Sequence, residues 1–132
     1  MRKAAFATIL GSLLACMPAT PARAAGFVND GAAWKALPPD GRAAYVTALH
    51  DGINYIFTDD ALATAIVKLA RHRCVVERKI NAAVLADLIT TFYAQDAKRI
   101  SLPPAAAYII RLNDYCRDTI NTERARFSLP PI

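Results

Sequence analysis

Leu102-Pro103-Pro104-Ala105-Ala106-Ala107-Tyr108-Ile109-Ile110-Arg111-Leu112-Asn113-Asp114-Tyr115-Cys116 is the stretch that decides the fold. Ser101 precedes two prolines, whose fixed φ suits a first helical turn and whose missing N–H would have no partner there. Tyr108, Ile109, Leu112, Tyr115 and Cys116 then recur at helical spacing, so the segment predicts a helix with one apolar stripe that ends on a cysteine.

The same signals repeat upstream. Pro38 and Pro39 open a segment in which Tyr45, Leu49, Ile53 and Ile56 share one face. Thr58, Asp59 and Asp60 are expected to cap a second helix carrying Leu62, Ile66, Leu69 and Arg73. Asn81 is expected to cap a third, which buries Leu85, Leu88, Ile89 and Phe92. A short turn over 32–37 would set Trp34 and Leu37 against these helices, and Pro130 and Pro131 stop the chain near a frayed end. No stretch alternates apolar and polar residues for long enough to predict a strand. The expectation is an all-α domain of four main helices plus a short N-terminal turn, spanning residues 25–132.

Residues 1–24 read differently. Arg2 and Lys3 precede an apolar run from Ala4 to about Met17, and Ala22-Arg23-Ala24 forms a small-x-small exit. This is the pattern of a secretory signal peptide, too short to span a bilayer. It directs the chain to the periplasm, with cleavage after Ala24 or Ala25. Leu13-Leu14-Ala15-Cys16 resembles a lipobox, which would instead retain Cys16 as a lipidated N-terminus. Leu14 is not the small residue favoured there, so lipidation at Cys16 is the lesser expectation. The leader holds three of the 16 basic residues and none of the 11 acidic ones, so its loss takes the net charge from +5 to +2. A nucleic-acid partner loses its electrostatic basis with it. About 107 residues remain, enough for one core and too few for two, and no apolar stretch in them predicts stable membrane insertion.

Without Cys16 the exported chain keeps Cys74 and Cys116. Two cysteines in an oxidising compartment most often pair, and closing such a loop stabilises by roughly 4 kcal/mol in the chain-entropy model. The competing reading is a metal or redox pair. It lacks a C-x-x-C, and His72 alone stands near Cys74. The disulfide Cys74–Cys116 is therefore expected. The intervening Arg71-His72-Arg73-Cys74-Val75-Val76-Glu77-Arg78-Lys79 is locally basic, and reads as a solvated connection more readily than as a site for an acidic partner or membrane surface.

Signals for catalysis are thin. His50 and Asp51 are neighbours, and adjacent helical residues diverge by about 100°, so they do not face each other as a dyad. Asp59-Asp60 is a candidate acid pair that a helix start explains equally well. No nucleophile elbow, phosphate-cradling glycine loop or H-E-x-x-H motif is present. No catalytic residue, cofactor or metal ligand is assigned, and the chain is expected not to be an enzyme. Trp34 and Tyr45 read as core anchors, Gly52 as a point of close helix packing, and Arg42 with Asp51 as a structural ion pair.

In order along the chain stand Trp34-x-x-Leu37, Arg42-x-x-Tyr45, Asp51-Gly52 and Cys74. Leu85-x-x-Leu88-Ile89 with Phe92-Tyr93, the Leu102-Pro103 helix start, Ala105 to Ala107 and Cys116 follow. This order resembles the Tai-type immunity family, small exported helical proteins that protect bacteria from type VI secretion amidase toxins. The resemblance implies a protein partner, a toxin whose active site is occluded, and a homodimer. The chain departs from the family pattern in having no cysteine between Gly26 and Tyr45 and Ala48 in place of a glycine. It also continues for 16 residues beyond Cys116. The resemblance identifies no toxin-contacting residue. The alternative is a periplasmic acid-stress holdase of the small two-cysteine helical type, whose partner would be a client protein. A minor enzyme or transport accessory has only His50 and Asp51 to recommend it.

Overall fold

The computed structural model describes residues 27–132. The leader over 1–24, its exit and the lipobox-like Cys16 lie outside the described residues.

A short helix, α1 (Gly31–Ala36), begins where the Asp30 carboxylate accepts the Ala33 amide at 2.7 Å. It ends at Leu37, held extended by the proline that follows. α2 (Pro39–Asn54) starts on its expected proline. Its buried face is centred on Val46 and His50, with Tyr45, Leu49 and Ile53 half-buried beside them. Ile56 lies beyond the end of the helix and is exposed.

α3 (Leu62–Glu77) departs most from expectation. Thr58-Asp59-Asp60 does not cap it: Ala61 precedes the first turn without a side-chain cap, and Asp60 turns back to the Phe57 amide. The helix buries Ile66, Ala70, Arg71 and Cys74, while Leu62 and Leu69 face outward. A pattern built from large apolar residues rotates the face, because a small alanine and an arginine carry part of the true one. The basic stretch from Arg71 is not a connection either. The helix runs through it to Glu77 and closes at Lys79, whose φ of 52° is left-handed. Lys79 N–H donates to Val76 O at 3.1 Å and Ile80 N–H to Val75 O at 2.9 Å, the paired bonds of a Schellman cap made without glycine.

α4 (Ala82–Gln95) starts where Asn81 accepts the Val84 amide at 3.0 Å, as expected. It buries Leu85, Ala86, Ile89, Phe92 and Tyr93. A 3-10 turn (Ala97–Ser101) leads into α5 (Pro104–Tyr115), which buries Tyr108 and Leu112 but leaves Tyr115 exposed. Beyond Cys116 the chain is not frayed. A further helix, α6 (Arg117–Arg126), ends in a second Schellman cap, with Ser128 at φ 55° and Leu129 N–H on Arg124 O at 3.0 Å. The Pro130 carbonyl accepts from Arg124 Nε at 2.6 Å, and Ile132 N–H donates to Asn121 at 3.0 Å.

The helices form a small all-α bundle, and no strand occurs among the described residues. α4 lies between α2 and α5, and α3 packs mainly on α6 while also touching α2. One core joins them, with Trp34, Val46, Ile89, Tyr108, Leu112 and Ile120 fully buried. Cys74 and Cys116 form the expected disulfide, linking α3 to the α5–α6 joint across 42 residues of sequence. No helix among the described residues is long and apolar enough to cross a membrane.

Trp34 anchors one end of the bundle. Its indole N–H donates to Thr90 Oγ1 at 3.1 Å and its ring meets Tyr45 edge-on at 5.9 Å. Arg42 does not pair with Asp51. Its guanidinium binds the Trp34 and Lys35 carbonyls at 3.2 and 2.8 Å, satisfying the C-terminal end of α1. Gly52 is no packing point either, since a Cβ there would meet nothing within 4 Å.

Candidate functional site

The opposite end of α2 carries the most unusual chemistry of the molecule. His50 is buried at the centre of the α2 face, and Asn54 follows one turn later. Tyr108 comes from α5 and His72 from the exposed side of α3. His50 Nδ1 and Tyr108 Oη share a hydrogen bond of 2.5 Å. Asn54 Nδ2 donates to the His50 carbonyl at 3.0 Å and to Tyr108 Oη at 3.2 Å. On the other edge of the imidazole, His50 Nε2 lies 3.4 Å from His72 Nδ1. Buried polar groups need partners, and here each of three helices supplies one.

The electrostatics follow from burial. Desolvation, then the neighbouring His72, push the His50 imidazole below its ordinary range, while Asp51 pulls the other way. Desolvation pushes the Tyr108 phenol up to about 12 against the opposing Asn54 bond and Arg71 charge. His50 is thus a neutral imidazole and Tyr108 a neutral phenol at neutral pH. Asp51 is exposed, and the hydrogen bonds of His50 go to Tyr108, His72 and Asn54. The adjacent pair makes no dyad, as the helical spacing predicts. The partners of His50 are a phenol, an amide and a second imidazole, so the cluster can hold and share a proton.

Beside this cluster the α2–α3 connection projects large apolar side chains. Tyr55, Ile56 and Phe57 are 62%, 44% and 54% exposed, and Leu62 and Leu69 stand out next to them. His50, Asn54, Tyr55, Leu69 and His72 line a cleft of about 520 Å³ between loop and helices. The loop is rigidly held. Asp60 accepts the Phe57 amide at 2.9 Å, and the Asp60 amide donates back to Phe57 O at 3.2 Å. Lys68 binds both Asp60 carboxylate oxygens at 2.9 and 2.7 Å, and its ammonium lies 5.0 Å from the Phe57 ring centroid. Bonding to Lys68, and secondarily to the Phe57 amide, holds the Asp60 carboxyl below the usual carboxylate range. Tyr55 and Phe57 pack edge-on at 4.9 Å. Asp60 is therefore a loop clamp rather than half of an acid pair with Asp59.

Two arginines of the basic stretch of α3 are engaged from within the fold. Arg71 is buried and its Nε donates to Asn113 at 2.7 Å. Burial pushes its guanidinium pKa down, opposed by Tyr108. Arg73 pairs with the buried Glu123, which also binds Arg126 at 2.9 Å. Arg73 is therefore not free for an acidic partner.

Of the residues singled out by sequence, the structure brings His50 and His72 together, from α2 and α3, with Asp51 lining the same cleft, and sets Asp59 and Asp60 apart from them. Asn54, the phenol of Tyr108 and the Asp60–Lys68 clamp were missed as site elements. The signal for the clamp was present in Phe57-Thr58-Asp59-Asp60, where an aspartate three residues past an aromatic can close a turn on that residue's amide. No protein-family model matches the chain, and no curated protein or solved structure matches it.

Proposed function

We propose that this chain is an exported, non-enzymatic binding protein whose α2–α3 loop enters the active-site cleft of a secreted cell-wall amidase or similar toxin. The observation that carries this reading is the clamped loop itself. Tyr55, Ile56 and Phe57 stand exposed in succession on the loop that Asp60 and Lys68 clamp at Phe57, with Leu69 of α3 on the same cleft as Tyr55 and Ile56. Clustered exposed apolar surface marks interaction sites, and a rigid aromatic anchor loses little entropy when it is buried by a partner. The motif order of the immunity-type resemblance supplies the partner class. The disulfide supports the exported setting, since such bridges persist outside the reducing cytoplasm.

The test is inhibition of murein hydrolysis. Protein captured on the immobilised chain from secreted and periplasmic fractions is assayed for release of peptide fragments from purified murein. The wild-type chain is expected to block that activity, and Phe57→Asp to lose the block while keeping its fold. No captured hydrolase, or equal inhibition by Phe57→Asp, would sink the reading.

The holdase alternative has one structural feature in its favour. The Asp60–Lys68 clamp and the neutral His50 are both weakened by acid, which would loosen the loop end and expose apolar surface. Suppression of client aggregation at about pH 2–3, absent at neutral pH, would favour it instead.

A further inference from the structure

We propose that the cleft lined by α2, α3, α5 and α6 binds a small amphiphile, an apolar tail carrying one carboxylate, with Arg71 as the anchor of its head. Thr64, Val67, Lys68 and Arg71 stand at i, i+3, i+4 and i+7 along α3 and so share one face. Across from them, α5 and α6 close a cleft of about 430 Å³, within the roughly 300–1,000 Å³ of small-molecule sites. This cleft shares no lining residue with the one beside the histidines.

Arg71 is only 8% exposed, and a guanidinium stays charged at neutral pH. Its one hydrogen bond among the described residues runs from Nε to Asn113 Oδ1 at 2.7 Å. The Tyr108 phenol beside it is neutral. No carboxylate among the described residues pairs with it, that of Ile132 included. Its terminal nitrogens have no protein partner, yet they are not sealed from solvent. Because Arg71 lines the cleft, these donors open into it. A buried charge without a counter-charge is costly, and a carboxylate that accepts from both terminal nitrogens relieves that cost through two parallel charge-assisted bonds.

The rest of the lining selects the same chemistry. Lys68 is already matched by Asp60 at 2.7 Å, whereas Arg124 donates to the uncharged Pro130 carbonyl at 2.6 Å and keeps its charge. No acidic side chain lines the cleft among the described residues, so a cation would be repelled. Ile53, Val67 and Ile109 supply apolar wall for a hydrocarbon tail, which a bare inorganic anion would leave unused. This site is independent of the toxin-binding reading.

The experiment is an NMR titration of sodium octanoate into the untagged, disulfide-bonded protein at about pH 7.5, where the carboxylate is ionised. 1-Octanol, sodium acetate and the Arg71→Met variant are run beside it. Octanoate should bind saturably and one to one, at least about tenfold more tightly than octanol, and at least about tenfold more weakly to Arg71→Met. It should move the Arg71 Nε–H resonance and the backbone amides of Val67 and Ile109. Acetate, which has the head without the tail, should bind far more weakly. Circular dichroism verifies the fold of Arg71→Met, and the octanoate–octanol comparison reads the same charge in the wild type if that variant does not fold. Absence of saturable octanoate binding, equal affinity for octanol or acetate, equal affinity in a folded Arg71→Met, or shifts confined to the α2–α3 loop would overturn the proposal.

Discussion

Two glycines, Gly31 and Gly52, mark the contrast between the two ends of the molecule. A Cβ on Gly31 would lie 2.7 Å from both Ile100 Cδ1 and Tyr93 Cδ1, inside van der Waals contact. A Cβ on Gly52 would meet nothing within 4 Å. The first glycine sits at the closed end, where Trp34, Tyr45 and Tyr93 fill the space between α1, α2 and α4. The second sits at the open end, between His50 and Asn54 of the histidine cluster and just before the exposed loop. The closed end joins buried aromatic packing to the Trp34–Thr90 and Arg42 hydrogen bonds, whereas the open end rests on the His50–Tyr108–Asn54 bonds and the Asp60–Lys68 salt bridge. That difference gathers the buried aromatic rings at one end and the exposed α2–α3 loop side chains at the other.

The strongest way to break the contrast is at Trp34. Trp34→Ala should cost about 3–5 kcal/mol, because a fully buried indole is removed along with its bond to Thr90. Urea unfolding measures it, and a loss below about 1 kcal/mol would show that this end is not the anchor. Next comes Gly31→Ala, expected to cost about 1–3 kcal/mol as the buried Tyr93 ring is forced aside. The same substitution at Gly52 should have the opposite sign. It adds helix propensity in open space and should stabilise by about 0.5–1 kcal/mol, read as a raised urea midpoint. Equal signs at the two glycines would remove the distinction between the ends.

The smallest effect concerns one proton. Burial first, then the charge of His72, holds the His50 imidazole below its ordinary value. The unfolded chain therefore takes up this proton before the native state does. The contribution of neutral His50 is full above about pH 6.5 and is lost as pH falls toward the folded value. Thermal unfolding from pH 7.5 downward should show this loss. His72→Gln removes the like charge and should raise the His50 titration midpoint in NMR; an unchanged or lower midpoint would separate the two rings electrostatically.

Much of the fold was legible because its signals are local. Asn81 caps α4, Pro39 and Pro104 open α2 and α5, and Trp34 lies in the core, each for a reason visible within a few residues. The cysteine pair was legible from the number of cysteines and the expectation of export. The face of α3 was not, because Ala70 and Arg71 carry burial that apolar periodicity assigns to Leu62 and Leu69. The two C-caps were hidden because Lys79 and Ser128 take the left-handed conformation that a reader expects of glycine. The histidine pair depends on the crossing of α2 and α3, which no spacing along either helix reveals. His50 and His72 are 22 positions apart, and only the tertiary arrangement sets their nitrogens face to face.

The disulfide has a mechanical consequence. It closes α4, the 3-10 turn and α5 inside a covalent ring whose cysteines are 42 positions apart. A pull on the two chain ends would straighten the segments before Cys74 and after Cys116 but leave the ring shut. Roughly 140–150 Å of contour would stay out of reach until a reductant cleaves the bridge. A narrow unfolding pore or a processive protease would then meet two strands abreast at that point, instead of a single thread.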